Sequence, residues 1–142
     1  MATVRQLLDR KGYQVWTITA DKTVFDALRL MGEKEIGALA VMEGDKVTGM
    51  LSERDYARKV VLKGKTSRET LVSAIMSSPV ISVRPDQSVA ECMALMTEKR
   101  IRHLPVLENG KLIGLISLGD LVKHIIEEQE FIIGQLENYI AR

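Results

Sequence analysis

An internal repeat constrains the fold of this chain more than any other feature. Residues 15–55 align with residues 80–120 without a gap, and 15 of the 41 aligned positions are identical in the 142-residue sequence. A repeat of this length encodes one supersecondary unit twice, so the two copies should share one fold. We place the first unit, with an N-terminal arm, at residues 1–66, the second unit at residues 67–127 and a helical extension at residues 128–142.

Each copy shows the pattern strand, helix, strand, strand, helix. A short apolar strand, at residues 15–18 or 80–83, precedes an aspartate (Asp21 or Asp86) that the sequence places at the N-cap of a helix. Apolar residues then recur at helical spacing, and two apolar runs follow around a tight turn. The second of these turns contains an Asn-Gly pair, which favours a two-residue hairpin. The pattern predicts an α/β fold of the α+β type with two βαββα repeats.

Short amphipathic segments precede both copies. Residues 4–8 lead into the first copy and residues 71–76 into the second, where Pro79 should end the helix because it disfavours helical backbone in the preceding residue. We therefore expect each unit to carry its own helical arm. Beyond residue 120 the apolar residues form a wide helical stripe, which favours pairing with a second copy of the chain. A helix folded back on its own module is the alternative.

The composition excludes several classes of function. Twenty Lys and Arg residues against 19 Asp and Glu residues give a net charge of +1, so no overall field draws the chain to nucleic acid or to a membrane surface. The basic stretch at residues 59–65 has no interleaved aromatic residues and is interpreted as a solvated linker. The single cysteine, Cys92, lies in an apolar helical pattern, as a buried thiol would. No segment approaches the ~20 apolar residues that cross a bilayer. We expect a cytoplasmic location.

The motifs of the two copies resemble those of the cystathionine-β-synthase (CBS) domain family. Each copy has a strand that ends in Gly-x-x-Ser-x-x-Asp, at residues 49–55 and 114–120, and Arg-His-Leu-Pro-Val at residues 102–106 matches a common form of the family's second strand. The resemblance covers nearly the whole chain. It implies two repeats packed through their sheets as a pseudo-two-fold pair, which commonly dimerises, with clefts that hold an adenosine nucleotide of the AMP, ATP or NAD class.

The resemblance also implies which residues bind the nucleotide. Adenine would lie against the start of the first strand and the backbone of the second strand, while Asp55 and Asp120 would accept hydrogen bonds from the ribose hydroxyls. Gly119 stands where the first copy has Arg54, so the two clefts need not bind alike. The candidate nucleotide-binding residues are Thr17, Ile18, Gly37, Ala38, Leu39, Ala40, Ser52, Arg54, Asp55, Arg58, Ser82, Val83, Arg102, His103, Leu104, Pro105, Ser117 and Asp120.

Several candidates have an ordinary structural explanation. Serine at an N-cap with an acid three residues later is typical of a capping box, although a cap and a ribose acceptor are compatible. Arg54 lies in a first helical turn, where the helix dipole favours acids, so either a neighbouring carboxylate compensates it or it holds a phosphate together with Arg58. His103 could donate to a phosphate or hydrogen-bond the backbone.

The sequence offers no set of residues for catalysis or for a metal. It has two histidines and one cysteine, with no Cys-x-x-Cys or His-x-x-His spacing and no phosphate-cradling glycine loop. We therefore expect a regulatory module, not an enzyme, that binds an adenosine nucleotide and modulates an unidentified protein in trans. A ligand-independent dimeric scaffold, with the C-terminal helix as its binding surface, is the alternative.

Overall fold

The computed structural model describes residues 2–141, which form two βαββα units with a long C-terminal helix. This architecture confirms the predicted α/β class and the two repeats. The elements are α1 (Val4–Lys11), β1 (Thr17–Thr19), α2 (Val24–Lys34), β2 (Ala38–Glu43), β3 (Lys46–Ser52), α3 (Glu53–Lys59), a 3-10 turn (Val61–Lys63), α4 (Val72–Ile75), α5 (Val89–Lys99), β4 (His103–Glu108), β5 (Lys111–Ser117) and α6 (Leu118–Ala141).

The two units have sheets with the same register. In the first unit β1 runs parallel to β2, and β2 pairs antiparallel with β3, with Leu39 opposite Leu51. In the second unit β4 pairs antiparallel with β5, with Leu104 opposite Ile116. Each hairpin carries an irregularity at the same place, after Val41 and after Val106. The repeat in the sequence is therefore a repeat in the structure down to its local irregularities.

The first strand of the second unit is shorter than predicted. Only Val83 pairs with β4, in an isolated parallel bridge to Val106, whereas residues 80–83 were expected to form a strand. Val83 donates to the carbonyl of Pro105 at 3.1 Å and accepts from the amide of Leu107 at 2.9 Å. Extending the ladder towards residue 81 would require an N–H on residue 105, which proline lacks. The first unit has Ala40 at the equivalent position and forms a regular β1.

The first helix of each unit begins two residues later than predicted. The N-caps are Thr23 and Ser88, whose hydroxyls accept from the backbone amides of Asp26 at 3.1 Å and Glu91 at 3.0 Å. The prediction that the preceding aspartates cap these helices was wrong, because only the later side chains lie within reach of the third helical amide. The signal was present in the sequence as Ser or Thr followed three residues later by an acid.

Each helical arm packs on the other unit. Leu7 and Leu8 of α1 are buried in the core of the second unit, and Ile75 of α4 is buried in the core of the first. Backbone bridges between Thr3 and Ser88 and between Leu71 and Thr23 hold the starts of both arms. The sequence assigned each arm to the unit that follows it. Linear order cannot reveal this exchange, because both arms have the same amphipathic pattern.

The helix α6 extends well beyond the second unit. Its first turns pack on α1, α5 and β5 through residues such as Leu121, which is fully buried. The apolar side chains of its C-terminal half are exposed, with Phe131, Leu136 and Ile140 at 67%, 56% and 80%. No helix within residues 2–141 combines the length and the apolar character that crossing a membrane requires.

Candidate functional site

A cavity of about 560 Å³ lies between the two units. This volume falls within the ~300–1,000 Å³ range of small-molecule sites. The first unit contributes the start of β2, the end of β3 and the first turns of α3, while the second contributes the segments before β4 and after α4. Its lining residues are Gly37, Ala38, Met50, Ser52, Glu53, Arg54, Asp55, Arg58, Lys59, Ser77, Pro79, Val80, Ile81, Arg100, Ile101, Arg102 and His103.

The start of α3 is fixed by a reciprocal cap. The Ser52 hydroxyl accepts from the amide of Asp55 at 3.2 Å, and Oδ2 of Asp55 accepts from the amide of Ser52 at 2.9 Å. A further hydrogen bond joins the amide of Glu53 to the carbonyl of Gly37 at 3.1 Å. The capping-box explanation of the Ser-x-x-Asp motif is therefore correct. It leaves the second carboxylate oxygen of Asp55 outside the cap.

Asp55 lines the cavity, and its second oxygen, Oδ1, lies beside two other residues of the cavity wall. Its neighbours are the Lys59 ammonium at 3.3 Å and the Ser77 hydroxyl at 3.4 Å. Both contacts are long, and a carboxylate oxygen has capacity for further donors. The side chain of Asp55 is only 15% exposed, so its position is well defined by its surroundings. Oδ1 is thus an anchored acceptor at the cavity wall, suited to a neutral donor such as a hydroxyl.

Four arginines that line the cavity have no carboxylate partner. In the part of the chain that the structure describes, no acidic side chain lies within ion-pair distance of Arg54, Arg58, Arg100 or Arg102. The guanidinium of Arg58 lowers the pKa of Arg54, and burial and Arg102 act in the same direction. The charge of Asp55 opposes this shift but does not outweigh it, so Asp55 compensates Arg54 only in part. Clustered guanidiniums of this kind are suited to bind a phosphate.

His103 lies at the junction of the two units. Its ring nitrogen Nε2 is 3.7 Å from the position that a Cβ on Gly37 would occupy, so the absence of a side chain there leaves room for the imidazole. Burial lowers the pKa of His103, and Lys11 and Arg102 lower it further against the opposing effect of Asp120. The imidazole is therefore neutral at pH 7. It can donate or accept one hydrogen bond at the cavity wall.

The second motif has the same cap but different neighbours. The amide of Ser117 donates to Oδ2 of Asp120 at 2.8 Å, and the amide of Asp120 donates to the Ser117 hydroxyl at 3.1 Å. The same Oδ2 also accepts from the Lys11 ammonium at 2.5 Å. Burial raises the pKa of Asp120, but the hydrogen bonds from Lys11 and Ser117 outweigh it, so this pKa lies below its ordinary value.

The structure brings eight of the predicted residues together and separates the others from the cavity. Ile18, Leu39, Val83 and Leu104 belong to the two cores. Thr17 and Ser82 are exposed. Ala40 and Pro105 are buried within the strands, and Ser117 and Asp120 line other cavities. The predicted residues that line the 560 Å³ cavity are Gly37, Ala38, Ser52, Arg54, Asp55, Arg58, Arg102 and His103.

The sequence prediction missed the wall formed by the segment that follows α4. Pro79, Val80 and Ile81 line the cavity opposite α3, and the amide of Ser77 donates to the carbonyl of Met50 at 2.8 Å. Because α4 packs on the first unit, this segment passes the first motif before it enters the second unit. Predicting this wall would have required knowing that each arm packs on the other unit, and no local sequence pattern encodes that exchange.

Within residues 2–141, no three His, Cys, Asp or Glu side chains cluster in a way that could hold a metal ion. Cys92 is buried in the second core, and burial raises the pKa of its thiol to about 11. The thiol is therefore protonated at pH 7, which agrees with its predicted role as an apolar core residue.

Comparison with known proteins identifies the family. The sequence profile of the CBS domain matches residues 4–62 and residues 72–127. The mitochondrial CBS domain-containing protein CBSX3 of Arabidopsis thaliana is 38% identical over 134 residues, which are 91% of this chain and 65% of that protein. The chain thus spans slightly less than two thirds of the length of CBSX3.

Solved structures show the same arrangement of repeats. A protein with CBS domains from Burkholderia ambifaria is 55% identical, with a TM-score of 0.87 over 90% of this chain and 96% of that chain. The CBS domain pair of protein MJ0100, solved with 5'-methylthioadenosine and S-adenosyl-L-methionine, is 19% identical with a TM-score of 0.80, over 90% and 98% of the two chains. This last likeness concerns the fold alone. The chain belongs to the CBS domain family, and its two repeats form a tandem pair of the kind that serves as a regulatory module.

Proposed function

We propose that this CBS pair senses an adenosine nucleotide of the AMP, ATP or NAD class and modulates a partner protein in trans. The observation that carries the proposal is the cluster of unpaired guanidiniums beside an anchored carboxylate oxygen in the cavity between the units. A nucleotide matches both features, because it carries anionic phosphates and ribose hydroxyl donors on one molecule.

The phosphates would lie against the arginines of α3 and of the segment before β4. Arg54 and Arg58 come from the first unit and Arg102 from the second. Each guanidinium can form two parallel hydrogen bonds with a phosphate. A bound phosphate would also relieve the mutual repulsion that lowers the pKa of Arg54. The same cluster disfavours S-adenosylmethionine, which is a sulfonium cation, as the ligand of this cavity.

The nucleoside would occupy the rest of the cavity. Oδ1 of Asp55 would accept from a ribose hydroxyl, in addition to its long contacts with Lys59 and Ser77. The apolar part of the wall would contact adenine, since most small-molecule sites are lined largely by apolar side chains. That wall consists of Ala38, Met50, Pro79, Val80, Ile81 and Ile101. The ligands of MJ0100 also contain adenosine, which supports the nucleoside part of the proposal.

A ligand in this cavity would touch both units at once. Arg54 and Arg102 lie on opposite sides of the boundary between the units. A ligand that bridges them shifts the relative packing of the units to the extent that it binds one arrangement more tightly than another. A partner protein that contacts both units would then detect whether the nucleotide is bound.

A second candidate function, a ligand-independent dimeric scaffold, is favoured by the free half of α6. Along this helix a seven-residue pattern places apolar residues alternately three and four residues apart, with Gln129 as the one polar member. This pattern favours pairing of two copies of the helix, because identical stripes are complementary. We include a homodimer through α6 in both functions. The seven members are Leu118, Val122, Ile125, Gln129, Ile132, Leu136 and Tyr139.

Calorimetry separates the two functions. AMP, ADP, ATP, NAD, NADH, S-adenosylmethionine and adenosine are titrated into the wild-type protein and into Arg54→Gln/Arg58→Gln. We expect a phosphate-bearing ligand to bind at least tenfold more tightly than adenosine, and the double variant to lose this preference. Lys111→Gln, at an exposed position on β5, is the matched control and should bind as the wild type does. If none of the ligands binds, the scaffold is the better description.

A further inference from the structure

We propose that Lys11 acts as a plug: its side chain blocks the second cleft, which is the space beside Ser117 and Asp120. The module then binds one nucleotide per chain, and it gains a second site when the plug is removed. This inference rests on the proposed function. It adds a stoichiometry and identifies the residue that sets it. The repeat in the sequence predicts two equivalent clefts, whereas the structure makes them unequal through a side chain that lies outside both motifs.

The Lys11 ammonium occupies the surroundings of the second motif. Nζ lies 2.5 Å from Oδ2 of Asp120 and 2.6 Å from the carbonyl oxygen of Leu115. Both partners are acceptors, and two charge-assisted hydrogen bonds of this length are strong ones. The amide of Ser117 donates to the same Oδ2 at 2.8 Å through the cap. Lys11 and Ser117 therefore share this carboxylate oxygen, and the ammonium stands beside the motif.

At the first motif the nearest ammonium belongs to the motif's own helix, where Lys59 of α3 donates to the carbonyl of Ile75 at 2.9 Å. At the position equivalent to Leu115, the backbone of Met50 pairs with the backbone of Ser77, with hydrogen bonds of 2.8 and 3.0 Å. Oδ1 of Asp55 lies 3.3 Å from that Lys59 ammonium and 3.4 Å from the Ser77 hydroxyl, and no lysine of an arm reaches it within the described residues. The difference arises from the arms, because α4 is a four-residue helix whereas α1 has eight residues. The additional turn of α1 replaces a strand-like segment and carries Lys11 to the second motif.

The space beside the second motif is divided between two cavities, with Lys11 lining the one that contains Asp120. In the first unit Ser52 and Asp55 line one cavity. In the second unit the serine and the aspartate are separated, since Ser117 lines a cavity of about 800 Å³ and Asp120 lines another of about 300 Å³ together with Lys11. A nucleotide needs the ribose acceptor and the phosphate site in one continuous space. Neither of the two cavities beside the second motif provides both in one space.

Other contacts hold the plug in place. Arg5 of α1 pairs with Glu108, and Arg10 pairs with Glu127 at 2.8 Å. Each of these exposed pairs is weak on its own. The apolar face of α1 is buried in the second core, so the helix is fixed mainly by that packing. Removing the charge of Lys11 should therefore open the cleft without releasing α1.

The experiment is a calorimetric titration with ATP of the wild type, Lys11→Met and Lys11→Arg. We expect one site per chain in the wild type, two in Lys11→Met and one in Lys11→Arg, which keeps the cation. Lys46→Met, an exposed lysine on β3, controls for loss of a surface charge and should bind one ATP. Asp55→Asn in the Lys11→Met background should leave one site, now in the second cleft. Lys11→Gln serves if the methionine variant fails to fold.

The outcomes separate the plug from the proposed function. Two sites in the wild type, or one site in both the wild type and Lys11→Met, would overturn the plug and leave nucleotide binding intact. No site in the wild type but one in Lys11→Met would support the plug and overturn binding in the first cleft. If neither protein binds ATP, both ideas are wrong.

Discussion

The carboxylate of Asp55 divides its two oxygens between the helix cap and the cavity. Oδ2 accepts from the Ser52 amide at 2.9 Å, and Oδ1 has only long contacts. The two functions that the sequence left open are therefore both available to this residue. The cap uses Oδ2, whereas a ligand would use Oδ1. A substitution that keeps only the acceptor for the cap can therefore separate the two functions.

Asp55→Asn should weaken nucleotide binding while preserving the cap. The amide oxygen of Asn can still accept from Ser52, so the free energy of unfolding should change by less than about 1 kcal/mol. Loss of a charged acceptor should cost about 1.5–3 kcal/mol of binding free energy, or roughly tenfold or more in Kd. Calorimetry and urea unfolding measure the two effects. Asp45→Asn, in the exposed turn between β2 and β3, is the control, and a lower stability with unchanged binding in Asp55→Asn would favour the cap as the only function of Asp55.

His103 should make the stability of the protein depend on pH near 6. Burial lowers its pKa in the folded state, with Lys11 and Arg102 acting in the same direction. The unfolded chain, with an ordinary histidine pKa of ~6.5, then binds more protons, so the free energy of unfolding falls as the pH drops below ~6.5. His103→Asn should flatten this slope between pH 7 and pH 5. Urea unfolding across that range measures it, and an unchanged slope would exclude His103 as its source.

The sequence predicts the residues of the motifs better than their neighbours. Ser52 and Asp55 belong to one local pattern, so their cap follows from their spacing. Arg54 and Arg102 are 48 positions apart in the sequence and meet only through the packing of the two units. The sequence suggested a phosphate site at Arg54 and Arg58, and the family resemblance gave Arg102 as a candidate residue of the second repeat. The structure places all three arginines on the wall of one cavity, which no local pattern could show.

At the scale of secondary-structure elements, the glycine of each Gly-x-x-Ser-x-x-Asp motif is where an arm packs on a hairpin. A Cβ on Gly114 would lie 2.8 Å from two methyl carbons of Leu8 in α1. A Cβ on Gly49 would lie 2.7 Å from the sulfur of Met76, next to α4. Neither glycine has a positive φ angle. The motif therefore requires glycine for close approach, and the sequence alone did not give this reason.

Gly114→Ala should destabilise the protein by displacing α1. Overpacking of this kind costs about 1–3 kcal/mol, since Leu8 is fully buried and has little room to move. Gly134→Ala is the matched control, because Gly134 lies within α6 with nothing within 4 Å of its Cβ position. Alanine there should stabilise the helix by up to about 1 kcal/mol. Urea unfolding measures the free energy of unfolding of both variants. Equal values would show that α1 can move away from the added methyl group without loss of stability.

The free half of α6 should determine the oligomeric state. Ile132 and Leu136 lie in the seven-residue pattern and are 49% and 56% exposed in the single chain. Ile132→Ser/Leu136→Ser should convert a dimer into a monomer, because two apolar side chains per copy would be lost from the helix pair. Lys123→Ser, outside the pattern, should leave the dimer intact. Analytical ultracentrifugation measures the mass, and a wild-type monomer would refute pairing through α6.

At the scale of the whole molecule, the exchanged arms make the core of each unit depend on residues that precede the other unit in the sequence. The core of the second unit contains Val4, Leu7 and Leu8 from the start of the chain, and the first core contains residues of α4. The second unit therefore cannot complete its core until the N-terminus has reached it. The sequence predicted two units packed as a pair, each with its own arm. Only the packing in the structure shows that the two units depend on each other.

Leu8→Ala tests this dependence with a probe in the other unit. Leu8 is fully buried in the second core, whereas Trp16, the single tryptophan, packs against the first. Truncating a buried leucine costs about 2–5 kcal/mol. In a single cooperative transition, this loss shifts Trp16 fluorescence and circular dichroism to the same lower urea midpoint. Leu62→Ala, at a side chain that is 77% exposed, should move neither midpoint. A fluorescence midpoint that stays in place while circular dichroism shifts would mean that the units unfold separately, because the loss would then be confined to the second core.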